Sequence, residues 1–255
     1  MIYIGIPVRD ERHTIGPLLW RIRELLIGIG RDFHVLVVDD ASEDGTPELV
    51  EPYRQILPLT LIRHEAPLGY SASLERIVRE SVDRSNYVRR DALVTMQADF
   101  TDAPETVPEL LRRFEGGADL VVGAPAARTV EPRRQTAVRL AARLVARRLP
   151  TPADVNEPFG SLRLYRLFVL AGALRAAGGR PRLLEHEGWA ANAELLVRTS
   201  PFVRRFDEVE SARSFGRRYR DSRFEWLEEV RQLRTAAKDA SLTTVVAAAE
   251  PQVAS

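Results

Sequence analysis

Two adjacent carboxylates, Asp39-Asp40, directly follow the β-branched run Phe33-His34-Val35-Leu36-Val37-Val38. At the end of a buried strand such a pair is costly unless it meets a cation, sugar hydroxyls or the N–H edge of a base. Ligand contact is therefore expected for the pair. In the following Ala41-Ser42-Glu43-Asp44-Gly45-Thr46, Ser42 and Asp44 read as caps for the helix that carries Glu48. A second acidic cluster, Gln97-Ala98-Asp99-Phe100-Thr101-Asp102-Ala103-Pro104-Glu105, closes the apolar run 92–96. Asp99 and Asp102 offer hard oxygens of the kind that Mg²⁺ and Mn²⁺ prefer. Asp102, ahead of Pro104, equally suits the start of a helix. The histidines His13, His34, His64 and His186 show no metal-ligand spacing and read as structural. There is no G-x-x-x-x-G-K-[ST], no G-x-G-x-x-G and no G-x-S-x-G, and cysteine is absent. P-loop, dinucleotide, hydrolase-triad and thiol chemistries drop out together.

The elements needed to bring these residues together can be read from periodicity. Short apolar runs at 3–7, 33–38, 59–63, 92–96 and 119–123 alternate with helical patterns at 15–26, 47–56, 71–82 and 107–114. This order predicts an α/β fold, a mostly parallel sheet with helices on both faces. Ligands of such sheets sit beyond the carboxyl ends of the strands. Arg9-Asp10-Glu11, Asp39-Asp40 and 97–102 all fall at those ends. In the second half, 133–149 reads as a helix with six arginines and no acid, Arg139, Arg143 and Arg147 forming one stripe. The segment 162–174 mixes strand and helix signals, 190–197 and 224–237 look helical, and 203–209 strand-like. Arg89, Arg90 and Asp91 read as surface. One domain over 1–240 is expected, with a donor half at 1–125, an acceptor half at 126–240 and a frayed tail at 241–255.

Composition narrows the classes further. The 255 residues are 45% apolar and 29% charged, which excludes a disordered chain. With 37 basic against 36 acidic residues the net charge is +1, so binding to nucleic acid by bulk charge is not expected. No run approaches the ~18 apolar residues of a membrane span, and Met1-Ile2-Tyr3-Ile4-Gly5 reads as a strand rather than a signal peptide. The expected location is the cytoplasm.

The ordered motifs resemble those of family 2 glycosyltransferases. Ile6-Pro7-Val8-Arg9-Asp10-Glu11 is similar to P-x-Y-N-E, and Val38-Asp39-Asp40-Ala41-Ser42-Glu43-Asp44-Gly45-Thr46 to V-D-D-x-S-x-D-G-T. Gln97-Ala98-Asp99 with Pro104-Glu105 resembles D-x-D-x-x-x-x-P-E, with Gln97 in place of the first Asp. Gly117-Ala118-Asp119-Leu120-Val121-Val122-Gly123 follows G-A-D-x-V-x-G. Further on, Glu157-Pro158-Phe159-Gly160-Ser161-Leu162-Arg163-Leu164-Tyr165-Arg166, Gly188-Trp189, Glu194-Leu195-Leu196, Glu208-Val209, Arg213 and Gly216 resemble the dolichol-phosphate-mannose-synthase branch. The resemblance covers roughly residues 3–223.

The resemblance implies a three-layer α/β/α GT-A fold. It also implies transfer of a sugar from a nucleotide donor of the GDP-mannose or UDP-glucose type to a polyprenyl phosphate. Pro7, Arg9, Glu11, Asp39 and Asp40 would surround base and ribose, with Gly69 near the ribose and diphosphate. Asp99, helped by Gln97 and by Thr101 or Asp102, would hold Mg²⁺ or Mn²⁺. Arg163 and Arg213 would face phosphates. A phosphate acceptor is already an anion and needs no strong base; for a hydroxyl acceptor, Glu185, Glu187 or Glu194 would take the proton. The basic stripe 133–149 suits peripheral contact with an anionic membrane face, and a solvated amphipathic helix is the plain alternative. A soluble acceptor, or a nucleotide-sugar-binding module impaired by Gln97, are the competing functions.

Overall fold

The computed structural model describes residues 1–125, 155–178, 180–211, 231–232 and 234–239. Arg213 and the basic stretch 133–149 lie outside these residues, as do Gly216, the tail 241–255 and most of 224–237. The first half runs β1 (Ile2–Val8), α1 (Arg12–Ile27), β2 (Phe33–Asp39), α2 (Thr46–Val50), β3 (Leu59–Arg63), α3 (Tyr70–Asp83), β4 (Ala92–Thr95), α4 (Val107–Glu115) and β5 (Leu120–Pro125). The second contributes β6 (Arg163–Arg166), α5 (Leu167–Ala177), α6 (Gly188–Thr199) and β7 (Phe206–Ser211).

These strands form one seven-stranded sheet in the order β3-β2-β1-β4-β6-β5-β7. All neighbours pair in parallel except β6, which runs antiparallel to both β4 and β5. The expected mostly parallel sheet is borne out. Strand alternation divides the core into two layers. Ile2, Ile4, Ile6, Val35 and Val37 face a cluster with Ile15, Leu18, Leu19 and Phe114 of α1 and α4. Tyr3, Leu36 and Val38 face another with Leu74, Ile77 and Leu170 of α3 and α5. Gly5 sits under α3, where a Cβ would come within 2.3 Å of Ile77 Cγ2. Its bare backbone is what allows that helix to lie so near the sheet.

Two expectations are corrected. The helix expected over 47–56 stops at Val50 and continues as a 3₁₀ turn, Glu51–Gln55. Pro52 cannot donate to the helical ladder, and its ring crowds the preceding turn. Asp91 is not surface: it is 5% exposed and accepts bonds from the Met1 amino group at 2.8 Å and the Ser85 hydroxyl at 2.6 Å.

Candidate functional site

The strand order places a topological switch between β1 and β4. The chain winds outward from β1 through β2 to β3, then crosses back to β4 on the other side. Val8 pairs with Asp39, and Gly5 with Thr95, so the loops carrying Glu11, Asp39-Asp40 and Asp99 leave three adjacent strands at one edge. Neighbouring strands lie about 4.8 Å apart, so the three openings share a crevice about 10 Å across. The acidic clusters singled out in the sequence do converge.

The backbone at this edge is strained. Asp10, Ala41 and Phe100 have φ of 51°, 54° and 59°, and among the described residues they are the non-glycine positions in the left-handed region. Each follows a different one of the three strands. Such conformations cost on the order of 1–3 kcal/mol each and persist where surrounding bonds over-determine them.

Those bonds interlock the first two loops. The Asp10 amide donates to Ser42 Oγ at 2.8 Å, and the Glu43 amide donates to Asp10 Oδ1 at 2.8 Å. The Glu11 amide reaches Thr46 Oγ1 at 2.9 Å and the Arg12 amide reaches Asp44 Oδ2 at 3.0 Å. Burial works to raise the Asp44 carboxyl, but the bonds from Thr46 and the Arg12 amide outweigh it and hold the group below its usual range. Ser42 and Asp44 therefore lock two loops together; Gly45 holds the cap position of α2, and Asp44 Oδ1 accepts the first amide of that helix, from Thr46, at 2.9 Å.

Within this frame Asp39 and Asp40 differ sharply. Asp39 is wholly buried; its Oδ2 accepts the Ser42 amide at 3.3 Å and lies 3.3 Å from Arg63 Nε. Its other oxygen, Oδ1, is buried without a hydrogen-bond partner. Burial pushes the Asp39 carboxyl above its usual pKa, against the opposing pull of Ser42 and Arg63. An orphaned acceptor of this kind costs roughly 1–3 kcal/mol unless a ligand donor completes it. Both oxygens of Asp40 have partners. Its Oδ1 lies 2.9 Å from His64 Nδ1 and accepts the Leu68 amide at 2.8 Å; its Oδ2 accepts the Gly69 amide at 3.0 Å. Through these bonds Asp40 shapes the loop 64–69. His64, read as structural, is the partner that sequence reasoning left out of the site. Its position immediately after β3 was its one signal.

After β4, Gln97, Asp99 and Thr101 are partly exposed while Ala98 and Asp102 are buried. Asp99 Oδ1 accepts the Thr101 amide at 2.9 Å. Asp102 Oδ2 accepts the Gln97 amide at 2.9 Å and the Ser161 hydroxyl at 2.5 Å. Asp102 thus closes the loop on itself and ties it to the second half. It does not cap a helix, because Ala103 occupies that position.

Two candidates from the second half are also corrected. Arg163 is 1% exposed, and its guanidinium donates to Asn192 O at 2.5 Å, Pro158 O at 2.6 Å and Tyr165 Oη at 3.1 Å. It is an internal brace and does not face a phosphate in the crevice. Glu194 is fully buried and saturated. Its Oε2 accepts the amides of Glu185 and His186 at 2.9 and 3.0 Å and lies 3.0 Å from His186 Nδ1. Its Oε1 receives two bonds from Arg198, at 2.9 and 2.6 Å. With both oxygens occupied it has no lone pair for an acceptor proton.

The fit of a divalent cation rests on donor chemistry. Among the described residues no three acidic or imidazole groups gather to hold one. Asp99, the Gln97 amide and the Thr101 hydroxyl are all hard oxygen donors on one partly exposed loop. A single protein carboxylate with donor phosphates and water is an arrangement Mg²⁺ and Mn²⁺ accept, so the residues fit. Among the described residues, no helix is long and apolar enough to cross a membrane.

Comparison with known proteins agrees with this geometry. Residues 3–171 match the model of glycosyl transferase family 2. A dolichol-phosphate mannosyltransferase from Pyrococcus furiosus is 28% identical over 176 residues, covering 67% of this chain and 47% of that protein. An undecaprenyl-phosphate 4-deoxy-4-formamido-L-arabinose transferase from Pseudomonas aeruginosa is 27% identical over 179 residues, covering 68% and 49%. The chain spans about half the length of the curated relatives it matches. Among solved structures, glucosyl-3-phosphoglycerate synthase from Mycobacterium tuberculosis, in complex with Mn²⁺ and UDP-glucose, superposes with a TM-score of 0.66. It is 18% identical, with 92% of this chain and 77% of that one covered.

Proposed function

Because the chain belongs to glycosyl transferase family 2, we propose that it moves a sugar from a nucleoside-diphosphate donor to a polyprenyl phosphate, with inversion at the anomeric carbon and assistance from Mg²⁺ or Mn²⁺. The donor half of this reading is carried by the buried, partnerless Oδ1 of Asp39 at the switch-point crevice. It is an acceptor placed to take an N–H of the base. Pro7, Arg9 and Glu11 after β1 and Gly69 at the head of α3 would line base and ribose. Gln97, Asp99 and Thr101 would hold the cation, which when bound supplies positive charge to the departing diphosphate.

The acceptor half is supported by the names of the curated relatives and by the saturation of Glu194. In the transfer an acceptor phosphate oxygen forms a bond to the anomeric carbon as the bond to the donor diphosphate breaks, and the nucleoside diphosphate leaves with the electron pair. A phosphate nucleophile has no proton to lose, so the absence of an available base in Glu194 is no obstacle. A soluble acceptor is the second reading, favoured by the fold shared with a synthase crystallised with a small phosphorylated acid. A donor-binding module with Gln97 blunting turnover is a third.

UDP or GDP with Mn²⁺, at a hundredfold excess over Kd, is expected to raise Tm by about 5–10 °C. A flat response to both sinks the donor reading. Asp39→Asn should melt no lower than the parent while losing most of that shift, because it removes a buried charge along with the ligand's acceptor. Transfer assays on lipid phosphates and soluble alcohols then decide the acceptor: label only in the alcohol favours the second reading, and tight binding without turnover the third.

Contact of 133–149 with a membrane face is part of the same proposal. The parent is expected to float with anionic vesicles, and the triple change Arg139→Glu, Arg143→Glu, Arg147→Glu should weaken partitioning about a hundredfold or more at ~1 kcal/mol per basic residue. Equal flotation of both proteins would remove the stripe from the account.

A further inference from the structure

We propose that Glu187 is a positioning residue for nucleotide binding: the second half of the chain supplies its carboxylate to fix the loop that borders the donor crevice. The proposal rests on the donor reading above and adds to it a residue from outside the donor half. The loop 64–69 joins β3 to α3. Asp40 grips it from one side through His64 and the Leu68 and Gly69 amides. Glu187, the residue just before α6, holds the first turn of α3, into which that loop runs. Its Oε2 accepts the Ser71 amide at 3.1 Å, and its Oε1 accepts the Ser71 hydroxyl in a short bond.

Gly69 makes this approach feasible. Its φ is 97°, and a Cβ there would lie 2.7 Å from Glu187 Oε1. The carboxylate thus lies directly against the loop backbone, at the first turn of a fourteen-residue helix whose amides and dipole favour it. What delivers it is the buried cluster behind. Glu194 holds the amides of Glu185 and His186 and is itself held by Arg198, which immobilises the turn that carries Glu187. Hydrogen bonds and the short chain 185–187 therefore connect Arg198 in α6 to the first turn of α3. Two carboxylates from different halves thus hold the loop and the helical turn it enters, and a nucleotide seated against that loop feels both.

The test uses the intact protein and two readouts. Hydrogen exchange follows the 64–74 segment, and calorimetry with UDP and GDP in Mn²⁺ follows affinity. Glu187→Ala is expected to speed exchange in 64–74 while leaving β2 and β4 protected, and to weaken nucleotide binding about tenfold, the size of one lost charge-assisted bond. Glu187→Gln keeps an acceptor for the Ser71 amide and should weaken binding no more than about threefold. Glu187→Asp, one methylene short of Ser71, replaces alanine should that variant unfold. Unchanged exchange in the loop overturns the proposal, as does faster exchange with unaltered affinity. A parent that binds neither nucleotide overturns the donor reading and this role with it, whereas a parent that binds no better than Glu187→Ala overturns the role alone.

Discussion

Glu194→Ala should lower the stability of the protein by about 3–5 kcal/mol, the cost of stripping a buried ion pair of one partner. At two to four degrees per kcal/mol for a chain of this size, Tm falls by roughly 10 °C. The change leaves the Arg198 guanidinium, the His186 ring and two backbone amides without their acceptor, in a site that water does not reach. The same cluster makes stability depend on pH. The bond to Glu194 raises the His186 pKa above its ordinary 6.5, against the opposing effect of burial. Burial pushes Glu194 upward, but the bonds from His186 and Arg198 win and leave it below its ordinary 4.5. The histidine contribution is fully present below pH 6.5 and is lost as pH rises through the raised value. The glutamate contribution is present above pH 4.5 and is lost as pH falls through the lowered one. Thermal melts across this range should show a dome for the parent that flattens in Glu194→Ala, and a variant melting within a degree or two of the parent would show that the cluster contributes little.

Asp99→Ala has the opposite profile. The side chain is partly exposed, and the bond it makes to the Thr101 amide is local, so Tm should shift by no more than about 2 °C. Activity with the donor that stabilises the parent should fall by about 10²–10³ in kcat/KM, the scale of removing one group that stabilises developing charge. Titration with Mn²⁺ should lose its saturation in the variant. Activity retained within tenfold would move cation binding away from Asp99 and leave Gln97 without a role.

Much of this was legible in the sequence because the first half obeys simple periodicities. Strands such as 33–38 and 59–63 are apolar, β-branched and bounded by turn residues, and a buried parallel sheet requires little else. The convergence of Glu11, Asp39 and Asp99 followed, since parallel strands deliver their loops to one edge. What composition does not reveal is which way a polar side chain turns once inside. Arg163 and Glu194 occupy motif positions and look like ligands for a phosphate or a proton, yet both are buried: Arg163 donates to two carbonyls and a tyrosine hydroxyl with its Nε left unpaired, and Glu194 is held by amides, a histidine and an arginine. Asp40 and Asp102 show the same effect: each accepts backbone amides from residues 5 to 29 positions later or earlier. Long-range polar satisfaction leaves no periodic trace. Pro52, by contrast, was visible, and the expected helix over 47–56 gave it too little weight.

The strand β6, antiparallel to both its neighbours, has a consequence for how the enzyme can vary. β5 ends at Pro125 on the crevice side of the sheet, and β6, entering in the reverse sense, begins at Arg163 on that same side. β7 runs with β5 and also finishes there, at Ser211. The long connection from β5 to β6 is thus moored at both ends on the crevice side, and its length is not dictated by the hydrogen-bond register beneath. Closing a longer loop between fixed moorings costs little, about 0.6 kcal/mol per doubling. Insertions in this connection can therefore accumulate at the mouth of the crevice while the sheet and the loops after β1, β2 and β4 stay as they are.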